Sequence, residues 1–131
     1  MKTFKLIRSP ASSAAYNMAL DEKIFEGYLD DEIGVFRVYR WEKPSFTYGF
    51  SQRPGDEIDL SRCAAEGVQI AKRMTGGGIL FHNHEITYSF VCSKEDAGEP
   101  QDVFVSYRNI CKFLIRFYES LGLTPGFALQ A

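Results

Sequence analysis

The chain has 131 residues, 45% of them apolar, and a formal net charge of −2; that is one domain's worth of core, without the basic footprint of a nucleic-acid binder. No apolar run approaches the roughly 18 residues of a membrane span, and the start, Met1-Lys2-Thr3-Phe4-Lys5-Leu6-Ile7-Arg8, carries too short an apolar stretch for a secretory leader. Three widely spaced cysteines, Cys63, Cys92 and Cys111, suit neither a disulfide framework nor a zinc knuckle, and point to a reducing cytoplasm.

Phe4–Arg8 reads as a first strand, and Ser12 or Ser13 as the N-cap of a helix running to about Tyr28. After an acidic loop, Val35–Trp41 and Phe46–Gly49 read as a strand pair with Pro44 in the turn between them. A short helix follows, with Leu60, Cys63 and Ala64 on one face and Gly67 as its stop. Val68–Arg73, Ile79–Phe81 and Ile86–Cys92 are predicted strands, and Ser93–Gln101 a polar loop containing Gly98 and Pro100. A last helix starts at an Asp102 cap, repeats Tyr107, Cys111, Leu114, Tyr118 and Leu121 at helical spacing, and stops at Gly122. Arg108, Lys112 and Arg116 form a basic line on another face of it. This order predicts an α+β fold, a mixed and mostly antiparallel sheet with helices packed on it.

The stretch from Arg73 to Ser89 carries the most information. Gly76, Gly77 and Gly78 are consecutive between two strand patterns, and each glycine in regular structure costs roughly 0.5–1 kcal/mol against alanine. Such a run is explained where φ must be positive or where something approaches the backbone closely. A plain hairpin turn needs at most two such positions. With Arg73 before the glycines and His82 after them, a fixed cation, free amides and an imidazole can hold an anionic, phosphate-bearing ligand. His82, His84 and Glu85 also invite a metal reading, but alternate strand residues face opposite sides, so His82 and His84 share a face that Glu85 does not, and no metal site is assigned.

The Arg73–Gly78–His82 pattern resembles the signature of the lipoate-protein ligase and octanoyltransferase family, within the wider biotin/lipoate protein ligases. The likeness extends to Asn17-Met18-Ala19-Leu20-Asp21-Glu22, to Arg37-Val38-Tyr39-Arg40-Trp41, and to Pro44-Ser45, Gly49 and Gln52, covering roughly residues 13–122 in order. Thr75-Gly76-Gly77-Gly78 is ligase-like, whereas Glu85-Ile86-Thr87-Tyr88-Ser89 and the first helix are similar to the cysteine-dependent octanoyltransferase branch.

The resemblance implies a class II biotin/lipoate ligase-like fold, here incomplete, with residues 1–131 as the N-terminal portion of a catalytic domain. In the family the chain continues, and that continuation carries the ligase lysine or the transferase cysteine, so the catalytic group is expected beyond residue 131. A truncated reading frame, an excised fragment and half of a split enzyme all fit. The ligase version would use ATP and Mg²⁺ to activate lipoate or octanoate; the transferase version would take octanoyl from acyl carrier protein without ATP. Neither version implies a permanently bound cofactor. Either would modify a lipoyl carrier domain, the E2 of a 2-oxoacid dehydrogenase or the glycine-cleavage H protein. A C-terminal complement chain, self-association or a non-catalytic acyl-binding subunit are further readings, and neither nucleic acid nor membrane is expected as a partner. Biotin ligase shares the fold class, but its Arg- and Gly-rich adenylation loop is unlike Thr75–Gly78, and no P-loop pattern occurs.

By the same resemblance Arg73, Thr75, Gly76, Gly77, Gly78 and His82 would contact the ligand, Arg73 gripping the phosphate or carboxylate end of an activated acyl group. Ser45 and Gln52 are further candidates near loops. Asn17 and Asp21, four apart beside the stripe of Ala14, Met18 and Phe25, must be hydrogen-bonded, either as a structural network or as part of the site. Trp41, Tyr39, Phe46 and Tyr88 are core residues or walls of a narrow apolar tunnel. Cys63 and Cys111 lie on apolar helix faces, Cys92 ends a strand, and none is assigned catalysis.

Overall fold

The computed structural model describes residues 4–98 and 102–127. The chain divides into two compact units, Met1–Val91 and Cys92–Ala131. In the first, β1 (Lys5–Ser12) leads into α1 (Ala14–Asp31) and β2 (Val35–Trp41), and β3 (Ser45–Tyr48) follows. A 3-10 turn at Pro54–Asp56 and α2 (Leu60–Glu66) then precede β4 (Gln69–Lys72), β5 (Leu80–His82) and β6 (Thr87–Val91). The strands form two sheets of three, ordered β1-β2-β6 and β4-β3-β5.

Each sheet pairs one parallel and one antiparallel neighbour: β1 with β2 and β3 with β4 are parallel, β2 with β6 and β3 with β5 antiparallel. The balance is therefore even rather than mainly antiparallel. The cause is visible in the element order, because α1 lies between β1 and β2 and α2 between β3 and β4, and a helical crossover returns the chain in the same direction. The expected pair of β2 and β3 does not form, because the two strands lie in different sheets. Pro44 lies in a sharp passage from one sheet to the other. Pro10 interrupts β1, where the register shifts between Arg8 and Ala11, as expected of a residue without an N–H to donate.

Both helices of this unit obey local rules. Ser13 caps α1, its hydroxyl accepting from the Tyr16 amide at 3.2 Å. The Gln69 side chain, from β4, accepts from the Ala14 amide at 2.7 Å and satisfies a second helix-start donor. Asp59 caps α2, and Gly67 ends it at φ 69°. The core gathers Ala14, Tyr39, Trp41 and Ala71, with Met18 against them. The second unit holds α3 (Val103–Ile110), capped by Asp102, and α4 (Lys112–Ser120). The single helix predicted here is two, parted at Cys111, and neither buries a residue fully. Residues 99–101 of the predicted polar loop, with Pro100, lie outside the described residues. No helix among the described residues is long and apolar enough to cross a membrane.

Candidate functional site

Arg73 immediately follows β4, its amide bonded to the Tyr48 carbonyl at 2.8 Å. The loop after it does not make a hairpin. It leaves β4, passes over the end of β3 and descends into β5 on the other side. Gly49, at the end of β3, lies beneath this crossing: a Cβ there would stand 2.2 Å from the Gly77 carbonyl oxygen. Gly77 has φ 97°, so it too is required by the fold. Gly76 and Gly78 differ. Neither has positive φ, and a Cβ on either would meet nothing within 4 Å. Both are exposed.

The guanidinium of Arg73 folds onto its own loop. Nη2 donates to the Gly76 carbonyl at 3.2 Å and to the Gly78 carbonyl at 2.5 Å. Nη1 donates to the hydroxyl of Thr47 at 2.8 Å. Desolvation holds the Arg73 group below its ordinary range. With the carbonyls taken by Arg73, the amides of Gly76, Gly77 and Gly78 donate to no protein acceptor among the described residues. Thr75 is exposed, and its carbonyl accepts from the Phe50 amide at 2.9 Å.

Behind the loop stands His82, buried at the end of β5 and stacked on Trp41 with centroids 4.0 Å apart. Its Nε2 lies 2.8 Å from Thr47 Oγ1, and its Nδ1 lies 2.6 Å from Glu85 Oε1. The same carboxylate oxygen accepts from the Thr87 hydroxyl at 2.9 Å, and Thr87 accepts from Trp41 Nε1 at 2.8 Å. Strand alternation placed Glu85 opposite His82; the structure corrects this. β5 ends at His82, and His84 at φ 53° turns the chain so that Glu85 comes back to the imidazole. Among the described residues no three His, Cys, Asp or Glu side chains gather as a metal would need.

Asn17 and Asp21 serve a separate network. Arg37, fully buried on β2, donates to the Asn17 carbonyl at 3.0 Å, to Asn17 Oδ1 at 2.7 Å and to Asp21 Oδ1 at 2.7 Å. Ser89 and Tyr39 also donate to Asp21, at 2.7 and 3.1 Å. Burial, then the Asp21 charge, pushes the Tyr39 phenol well above its ordinary value. Ser45 is buried and bonds the Lys43 carbonyl, Gln52 accepts from the Gly49 amide, and Tyr88 stacks on Phe36. The site thus brings together Arg73, the glycines and His82, with Gln52 shaping the turn beneath. Ser45 pairs with His82 across β3 and β5, whereas Asn17, Asp21 and Tyr88 are not brought in.

Thr47 goes unread in the sequence, Glu85 is weighed there as a metal ligand rather than as a partner of His82, and Arg37 is noted only within the resemblance. A signal existed: in Ser45-Phe46-Thr47-Tyr48 the polar pair is the buried face, and Arg37 alternates in phase with buried Val35, Tyr39 and Trp41.

An open cleft of about 560 Å³ lies beside Arg73, lined by Met18, Ala19, Phe50, Ala71 and Met74 among others. That is within the roughly 300–1,000 Å³ of small-molecule sites. Tyr39 and Trp41 are core, not walls of it.

A class follows from the crossover loop, its clamped arginine and the adjoining cleft. Residues 13–128 match the lipoyl protein ligase A/B catalytic domain family, and the chain belongs to it. Among curated relatives it is similar to octanoyltransferase LipM of Kyrpidia tusciae, 37% identical over 129 residues, covering 98% of this chain and 47% of that protein. Ta0514 of T. acidophilum, a putative lipoate protein ligase with bound lipoic acid, superposes with TM-score 0.77 at 26% identity, over 98% of this chain and 52% of that one. A bi-partite lipoate protein ligase of Thermoplasma acidophilum, studied with its E2 lipoyl domain, gives TM-score 0.81 at 25% identity, over 96% and 49%. The chain spans about half the length of the relatives it matches.

Proposed function

We propose that this chain supplies the acyl-binding half of a protein lipoylation site. The observation that carries the reading is the pair Gly76 and Gly78, side-chain-free positions that the fold itself does not demand. A ligand lying against the backbone accounts for them. The acyl tail would lie in the cleft between α1 and β4. The head group would meet the free glycine amides and the Arg73 guanidinium, which stabilise charge developing on the acyl oxygen.

Sequence identity to LipM favours the transferase version. There the thioester carbonyl of an octanoyl donor is attacked, the C–S bond breaks with release of the carrier thiol, and the acyl group ends as an amide on a carrier-domain lysine. The neighbouring lipoate ligases support a second reading, in which ATP with Mg²⁺ first forms an acyl adenylate. In either version the chain acts as the N-terminal portion of a catalytic domain in the cytoplasm. The catalytic lysine or cysteine comes from a complementary portion, and the acyl acceptor is a lipoyl carrier domain.

Calorimetric titration of the chain with a non-hydrolysable octanoyl-adenylate analogue and with an octanoyl thioether tests this. At least one should bind, and Arg73→Ala should weaken it roughly 10- to 100-fold, the scale of a charge-assisted hydrogen bond. Equal affinities for wild type and variant would sink the assignment.

A further inference from the structure

We propose that Thr47, His82 and Glu85 are positioning residues: a directional hydrogen-bond relay that aims the Arg73 guanidinium and thereby holds the glycine loop with its amides free. The inference rests on the ligand-cradle reading of that loop.

The direction of the relay follows from its two ends. Arg73 only donates and a carboxylate only accepts. Glu85 Oε1, 2.6 Å from His82 Nδ1, therefore keeps a proton on Nδ1. Thr47 already accepts from Arg73 Nη1 at 2.8 Å. Its single hydroxyl proton then has His82 Nε2, at 2.8 Å, as its acceptor. Thr47 is fully buried, so in the other imidazole tautomer this proton would face no acceptor and no water. Stacking on Trp41, with planes 14° apart, fixes the ring's rotation. Trp41 also holds Thr87 against Glu85, so the carboxylate is itself oriented. At the far end, Arg73 Nη1 is anchored by the relay, and Nη2 is thereby aimed at the Gly76 and Gly78 carbonyls. A lone Arg beside a flexible glycine run would sample many rotamers. The relay selects one.

The test is nitrogen-15 NMR on the labelled full chain, without ligand. Wild type should show His82 with Nδ1 protonated and Nε2 bare, and the Gly76–Gly78 amides should be ordered, with order parameters near about 0.85. Thr47→Val, nearly isosteric, should drop the loop amides below about 0.6, and Thr47→Ser should restore them. A folded Thr47→Val with wild-type loop order overturns the proposal. Should Thr47→Val fail to fold, Glu85→Ala decides, since that side chain is 40% exposed. It should release the Nε2-protonated tautomer and loosen the loop, and retention of both wild-type signatures overturns the relay. These readouts need no acyl ligand. Failure of acyl binding with an intact relay would count against the cradle reading alone.

Discussion

Three consecutive glycines look equivalent in sequence and are not. Gly77 serves backbone geometry at φ 97°, and Gly49 beneath it serves clearance for the Gly77 carbonyl. Gly77→Ala should destabilise the chain by about 1–2 kcal/mol, the cost of a left-handed non-glycine residue. Gly76→Ala and Gly78→Ala should leave urea midpoints within the error of wild type, because a Cβ there meets nothing. The same two variants should weaken acyl-analogue binding at least tenfold. Denaturation and calorimetry on one set of samples separate these outcomes. Loss of stability without loss of binding would assign Gly76 and Gly78 to the fold.

At the scale of elements, α1 is fastened to its sheet by polar groups. Its only fully buried side chains are Ala14 and Asn17, and Arg37 of β2 reaches Asn17 and Asp21 on it. The Arg37 guanidinium also sits 4.0 Å from the Tyr39 ring centroid, a cation–π contact within the same network. Tyr39 gives this network a pH signature. Its phenol titrates above the ordinary value of 10.0, chiefly through burial and then through Asp21. A raised folded-state value means that the native chain keeps the proton after the unfolded chain has released it. Stability is then fully present below pH 10.0 and falls above it, at up to about 1.4 kcal/mol per pH unit until the folded phenol also ionises. Tyr39→Phe should flatten that part of the alkaline limb. Urea denaturation between neutral pH and pH 11 measures it, and identical limbs would remove Tyr39 from the network's energetics.

For the molecule as a whole, the exposed apolar surface decides its behaviour. Phe50, Leu80, Phe81 and Ile86 are each more than half exposed, as are Phe104, Tyr107 and Phe117 in the second unit. β5, which carries Leu80 and Phe81, is also a sheet edge with one side unpaired among the described residues. The β5 edge is short, at three residues, so the exposed apolar side chains are the main drive to association. We therefore expect the 131-residue chain alone to self-associate in light scattering. We also expect no octanoyl or lipoyl mass shift on a carrier domain, with or without ATP. Robust turnover by monomeric chain would place the catalytic group within residues 1–131 and overturn the division of labour proposed above.

Local chemistry alone determined much of this protein. Ser13 and Asp102 cap the helices they were expected to cap, because capping needs only neighbours in sequence. Period-two alternation placed β2 on its exact bounds. The glycine run marked the candidate site because its cost is local, and backbone geometry explains only Gly77. Only the tertiary structure decided the strand partners, since hydrogen bonding across a sheet is blind to separation along the chain: crossover helices made β1–β2 and β3–β4 parallel pairs, and the expected β2–β3 pair does not form. It likewise decided the company of Arg73. Thr47 lies 26 residues before Arg73 and 35 before His82, and all three come together because β3 is shared by β4 and β5. A buried threonine leaves no apolar signature, so its role emerges only when a cation and an imidazole arrive on either side of it.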